Sequence, residues 1–248
     1  MALIHSFEKS GNYFFRNRSY IPVILFLAAV PVVFITGTPE INSSVIVTIQ
    51  VFTIVVSFAG FVVRAITIGT TPAGTSGRNT TEGQVAEALN TKGIYSVIRH
   101  PLYLGNYLMW SGIVLFSYNI CFFIIVSLAY WLYYERIMFA EERFLEKKFG
   151  KIYLDWSLTA PAFIPRFRNY TRSSIPFSCK SVFRREYSGV LATVFGFAFV
   201  DNLRYFFETA QFDPLRTSNL ILYAFIIITL VLRTLKHQTG VLNEAGRS

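Results

Sequence analysis

Apolar residues along the chain gather into six blocks separated by polar connections. A helix crossing ~30 Å of hydrocarbon at ~1.5 Å per residue needs roughly 20 mainly apolar residues. The blocks are Ile21–Thr36, Ser44–Ile68, Tyr103–Ser117, Ile120–Phe139, Tyr187–Tyr205 and Ser218–Leu235. The first is short and contains Pro31, which membrane helices tolerate where neighbours satisfy the freed carbonyl. Ser44–Ile68 is long enough to span with tilt. Tyr118-Asn119 leaves room only for a tight turn, so the blocks on either side pair as an antiparallel hairpin. The pattern predicts an all-α fold, a polytopic transmembrane helical bundle of about six spans. It reads as a single membrane domain over 1–248. Within it lie an N-terminal helical pair over 1–69, a core over 70–166, and a basic interfacial segment with a C-terminal helical pair over 167–248.

The polar connections carry the charge. Residues 69–99 are rich in Gly, Thr, Ser and Asn, and a polar stretch this long between spans is uncommon unless functional. Residues 141–185 are charged and interrupted by Pro161, Pro165 and Pro176. There Trp156, Phe163 and Phe167 alternate with Arg166 and Arg168, which suits either an interfacial segment facing anionic headgroups or a solvated loop. If both termini lie inside, the outer loops 37–43, 118–119 and 206–217 hold Glu40, Glu208, Asp213 and a single Arg216. Nearly every other basic residue then falls inside, which puts both long connections on the cytoplasmic side. Asp201 and Arg204 near the outer end of the fifth block are expected to pair with each other.

Composition agrees with a lipid-embedded chain. It is 53% hydrophobic and 15% charged, against about 25% charged in soluble domains. The net charge of +9 points to cytoplasmic loops at a bilayer and not to nucleic acid. Cys121 and Cys179 form no disulfide framework, and with His5, His100 and His237 they show no metal-ligand spacing, so no metal is expected. The first twenty residues are polar and aromatic, and no cleavable signal peptide is expected.

No GxGxxG after a strand, GxxxxGK[ST] or GxSxG occurs, so any small-molecule site must be built from helices and their cytoplasmic ends. In the stretch Tyr95-Ser96-Val97-Ile98-Arg99-His100-Pro101-Leu102-Tyr103, Pro101 suits the first turn of a helix and His100 its N-cap. Free N–H groups there favour an anion. His100, Tyr103 and Tyr107 share one face, as a site or as an interfacial aromatic belt. A second stretch, Glu141-Glu142-Arg143 through Tyr153, returns to the same membrane face. Its paired carboxylates suit a ribose diol or an ammonium, and equally a solvated helix ended by Gly150.

Together, RHPxYxG, a helical hairpin and EExxLxxxFGxxY resemble the isoprenylcysteine carboxyl methyltransferase and phospholipid methyltransferase superfamily, over about residues 90–165. The resemblance implies a methyltransferase using S-adenosylmethionine in a non-Rossmann pocket. By motif position, Leu89, Asn90, Tyr95, His100, Pro101, Leu102 and Tyr103 would line the pocket, with Glu141 as the cofactor-binding carboxylate and Glu142 beside it. One departure is Ile137, where the prenylcysteine enzymes carry a substrate-binding Arg; the adjacent Arg136 would point about 100° away.

The loop over residues 69–80 offers glycines, hydroxyls and Arg78, and Arg64 ends the second block. That set suits an anion nest with planar forks for phosphate, or else a plain polar connection. The expected acceptor is an anionic oxygen of a membrane lipid headgroup, most readily a phosphate, held by Arg64, Arg78 and Arg99. The loop is similar to that of bacterial relatives that methylate a lipid A phosphate. Alternatives are a carboxylate acceptor, an amine acceptor with Glu135 as base, an NADPH-dependent sterol-type reductase, and a non-catalytic scaffold.

Overall fold

A computed structural model of the chain describes residues 2–72 and 86–247. Arg78 and most of the Gly- and Thr-rich loop therefore lie outside the described residues. All six apolar blocks are helical, and among the described residues there are no named strands. The helices are α1 (Leu3–Asn17), α2 (Ile21–Thr36), α3 (Ser43–Gly69), α4 (Pro101–Leu115), α5 (Ile120–Phe149), α6 (Lys151–Thr159), α7 (Cys179–Thr209) and α8 (Thr217–Gln238).

The number of spans is lower than the six expected. Four described helices, α3, α5, α7 and α8, are long and apolar enough to cross a membrane. The pair α1 and α2, bent by 80°, makes a fifth if taken as one span. The physical reason is length: α2 and α4, at 16 and 15 residues, reach only ~22–24 Å at ~1.5 Å per residue.

The polar, aromatic N-terminus forms α1, an amphipathic helix laid along α5. A Cβ at Gly11 would strike the Arg136 carbonyl and Ala140 of α5, so only glycine permits this approach. The Arg136 guanidinium stacks 3.3 Å from the Phe7 ring centroid, and Tyr133 donates to the Phe14 carbonyl at 2.7 Å. Between α3 and α4, Gly60, Gly105 and Gly112 bring two backbones together, and Ser57 donates to the Met109 carbonyl at 2.7 Å. Small residues and a buried hydroxyl are how helices associate where lipid removes the hydrophobic drive.

The turn between α4 and α5 is as tight as expected: Tyr118 has φ 61° and the Asn119 side chain caps α5. The expected Asp201–Arg204 pair does not form. Asp201 instead takes a two-pronged bond from Arg216 at 2.9 Å and one from Ser218 at 2.7 Å. Arg204 lies over the Tyr118 ring at 4.2 Å and donates to the Phe116 carbonyl. Arg216, at the N-cap of α8, has a planar fork aligned with Asp201, whereas Arg204 points across to the α4–α5 turn.

The C-terminal ends of α3 and α5 and the N-terminal ends of α4 and α7 meet at one end of the bundle. Side-chain bonds from Arg64 to Asn106 and Glu186, and from His100 to Glu142, fix that convergence.

Candidate active site

Pro101 opens α4, and His100 stands at its N-cap without a side-chain bond to the helix, which leaves the imidazole available elsewhere. The preceding segment is held by backbone bonds to the chain after α6. Arg99 N–H donates to the Pro161 carbonyl at 2.8 Å and His100 N–H to that of Ala162 at 3.2 Å. Gly93, with φ 62°, donates to Thr171 at 2.9 Å, and Arg166 donates to Val97 at 3.0 Å. Trp156 donates to the Tyr95 carbonyl at 3.0 Å. The proline-broken segment after α6 is thus a strap over the motif loop.

Against this loop lie the two carboxylates of α5. Glu142 accepts from Arg99 Nε at 2.8 Å and Nη2 at 3.2 Å, and from His100 Nε2 at 2.8 Å. Arg99 Nη1 is used as well, donating to the carbonyls of Ser157 at 2.7 Å and Ala160 at 2.6 Å. Glu141 accepts from the Tyr103 hydroxyl at 2.8 Å, and His100 Nδ1 lies 3.6 Å from the same oxygen. The imidazole stacks on Tyr103, with ring centroids 5.5 Å apart.

These groups face a cavity of about 400 Å³, within the range of about 300–1,000 Å³ typical of small-molecule sites. All nine residues expected around the cofactor line it: Leu89, Asn90, Tyr95, His100, Pro101, Leu102, Tyr103, Glu141 and Glu142. So do Arg64 and Arg99. Arg64 is gripped from α7: it donates to Glu186 at 2.6 and 2.7 Å and to Asn106 at 2.6 Å. The rest of the wall, which includes Arg18, Tyr130, Tyr134, Tyr153, Trp156 and Arg185, was not anticipated from the sequence. Tyr130 and Tyr134 stack at 4.1 Å, and Tyr134 meets Tyr103 at 4.8 Å, which gives one side a continuous aromatic face.

The walls around Tyr95, with the Glu141 carboxylate adding, push its phenol up to about 12. Burial, with Glu142 nearby, also raises the Tyr153 phenol. Among the described residues the buried Tyr153 hydroxyl has no hydrogen-bond partner. A buried polar atom without a partner is costly unless something else satisfies it. The cavity therefore fits S-adenosylmethionine: a carboxylate for polar groups of the donor, aromatic faces for a cationic sulfur, an unused hydroxyl, and sufficient volume. Glu135 is not among the cavity-lining residues. Ile137 is fully buried, and Arg136 is turned toward α1, away from the cavity.

Residues 63–152 match the family model for phospholipid methyltransferase. A cobalt-zinc-cadmium resistance protein of Cupriavidus metallidurans is 33% identical over 92 residues, 37% of this chain and 42% of that protein. Protein-S-isoprenylcysteine O-methyltransferase of Schizosaccharomyces pombe is 31% identical over 77 residues, covering 31% of this chain and 33% of that enzyme. Protein-S-isoprenylcysteine O-methyltransferase B of Arabidopsis thaliana is 34% identical over 79 residues, covering 31% and 39%. The chain thus spans less than half the length of each of these relatives, and no solved structure matches significantly. The shared stretch takes in Arg64, the motif loop and both carboxylates, and stops short of α7 and α8. This stretch, which supplies most of the cavity, is similar to the phospholipid and isoprenylcysteine methyltransferases.

Proposed function

We propose that the chain is an integral membrane methyltransferase that moves the methyl of S-adenosylmethionine to an anionic oxygen of a membrane lipid headgroup, with a phosphate as the preferred acceptor. The observation that carries this reading is the charge of the cavity wall: among the described residues it holds Arg18, Arg64, Arg99 and Arg185 against Glu141 and Glu142, with Glu186 behind Arg64. Such an excess of guanidinium groups attracts an anionic acceptor and disfavours an amine. The absence of Glu135 from the cavity wall argues the same way.

When bound, S-adenosylmethionine supplies a methyl group on a sulfonium, which the acceptor oxygen displaces with S-adenosylhomocysteine as the leaving product. A phosphate oxygen is ionised at pH 7, so the chain needs no strong general base. Glu141 and the tyrosine faces would hold the donor. Glu142, fixed by Arg99 and His100, would keep the motif loop shut against α5. Arg99 has four of its five N–H groups committed to Glu142 and two carbonyls, so we assign it to positioning and not to acceptor binding. Arg64 spends one N–H of each nitrogen on Glu186 or Asn106 and keeps further N–H groups for the acceptor. Alignment of this kind can lower a barrier by roughly 7–11 kcal/mol. The lipid A-type phosphate and the cytoplasmic orientation of the site are parts of the same proposal. The test feeds donor with a radiolabelled methyl group to membranes containing the protein. Label on a lipid phosphate, as a methyl phosphodiester that survives mild base, is expected, and base-labile label on protein carboxylates or label on amines would overturn the acceptor.

A further inference from the structure

A second hollow, of about 1,050 Å³, lies between α3, α7 and α8, walled by apolar side chains such as Phe58, Phe61, Val190, Phe197 and Phe225. Two of its helices lie outside the stretch shared with known methyltransferases. The hollow runs along α7 from Val182 to Asp201, with Glu186 and Asp201 fifteen residues apart within it. Fifteen helical residues cover ~22 Å, more than the ~15 Å occupied by the chains of one leaflet.

The hollow is not isolated from the active site. Glu186 lines it and is 2% exposed, and the two-pronged partner of that carboxylate, Arg64, lines the donor cavity. The two spaces share this ion pair as a wall, with the carboxylate among the apolar side chains of the groove and the guanidinium on the side of the donor cavity. Further positive charge gathers at the same end: Arg185 faces the donor cavity, and the Lys236 ammonium lies 5.1 Å from the ring centroid of Tyr187, which lines the hollow. An anionic headgroup with an attached hydrocarbon chain complements that sequence of surfaces.

We infer that the α3–α7–α8 groove holds an acyl chain of the anionic lipid acceptor, so that the phosphate is presented to Arg64 at the edge of the donor cavity. This inference deepens the methyl-transfer reading and rests on it for the identity of the acceptor. The α7–α8 pair would thereby select the substrate, while the shared stretch binds the donor.

The test uses the full chain in phosphatidylcholine vesicles doped with phosphatidic acid bearing a photoactivatable group midway along one acyl chain. Adducts are expected to concentrate on α3, α7 and α8 around Phe58, Val190 and Phe225, to fall with excess unlabelled phosphatidic acid, and to be weaker for equally labelled phosphatidylcholine. Even labelling of these residues and of lipid-facing Ile124 and Leu132 on α5 would overturn the groove. In a second arm, Val190→Trp fills the groove. The ratio of kcat/KM for long-chain over short-chain phosphatidic acid should fall at least tenfold, and an unchanged ratio would overturn the proposal. Concentrated adducts with no lipid methylated would leave the groove standing and refute methyl transfer instead.

Discussion

Arg99 and Arg64 face the same cavity, and each is held by a glutamate through two nitrogens. They differ in what they join. Arg99 and Glu142 link the motif loop to α5, inside the shared stretch, with side-chain exposures of 15% and 25%. Arg64 and Glu186 link α3 to α7, across the boundary of that stretch, with exposures of 17% and 2%. The first pair shuts the donor cavity upon itself. The second ties that cavity to α7, outside the matched stretch. One chemical device thus serves cofactor geometry in one place and the coupling of two regions in the other.

The comparison breaks first at Glu186. Glu186→Gln leaves Arg64 without a counter-charge and should cost about 3–5 kcal/mol, read as a lower unfolding midpoint in detergent. The double variant Arg64→Met/Glu186→Met should regain most of that stability and still lack lipid methylation. Full methylation by the double variant would reduce the pair to a structural strut. Next, Glu142→Gln weakens the bonds to Arg99 and His100. Losing about 1.5–3 kcal/mol from charged hydrogen bonds means a ten- to hundred-fold weaker affinity for S-adenosylhomocysteine, at roughly 1.4 kcal/mol per decade. Titration calorimetry measures it, and an unaltered dissociation constant would remove Glu142 from the donor site.

Smaller effects sharpen the picture. Gly105→Ala drives a methyl group into the Arg64 side chain and the Gly60 carbonyl. It should cost about 1–3 kcal/mol and lower methylation more than donor binding, which a comparison of turnover with donor affinity would reveal. Tyr103→Phe removes one bond to Glu141, worth about 1 kcal/mol, so donor affinity should fall roughly fivefold. The smallest effect concerns pH. The Tyr95 phenol is raised from 10.0 to about 12, so its contribution to stability is whole below pH 10 and disappears as pH climbs through 12. Tyr95→Phe should flatten the stability profile between those values, as followed by thermal melts.

Much of this cavity's lining was legible in the sequence, because it depends on local order: a proline at the first helical turn, a histidine before it, and two adjacent carboxylates at the end of a hairpin. The second ion pair was not. Glu186 sits where a basic connection passes into an apolar block, and helical periodicity tells which face a residue occupies, not which helix lies opposite. The same blindness suggested Asp201–Arg204, three residues apart, while the carboxylate had a better-oriented partner in Arg216 at the start of the next helix. Helix α1 left a readable trace: Leu3, Phe7, Gly11 and Phe14 recur every three or four residues. Its charged residues hid that trace from a search for apolar blocks. Arg78 falls outside the described residues, and its proposed hold on phosphate rests on sequence alone.

The strap after α6 sets an order of assembly. The bonds that fix residues 93–100 come from Pro161, Ala162, Arg166 and Thr171, so a nascent chain inserted as far as α6 has every motif residue and no finished cavity. Closure of the cavity must wait until about Thr171 has left the ribosome, and translation pausing before that point would expose an unfinished chain to quality-control proteolysis.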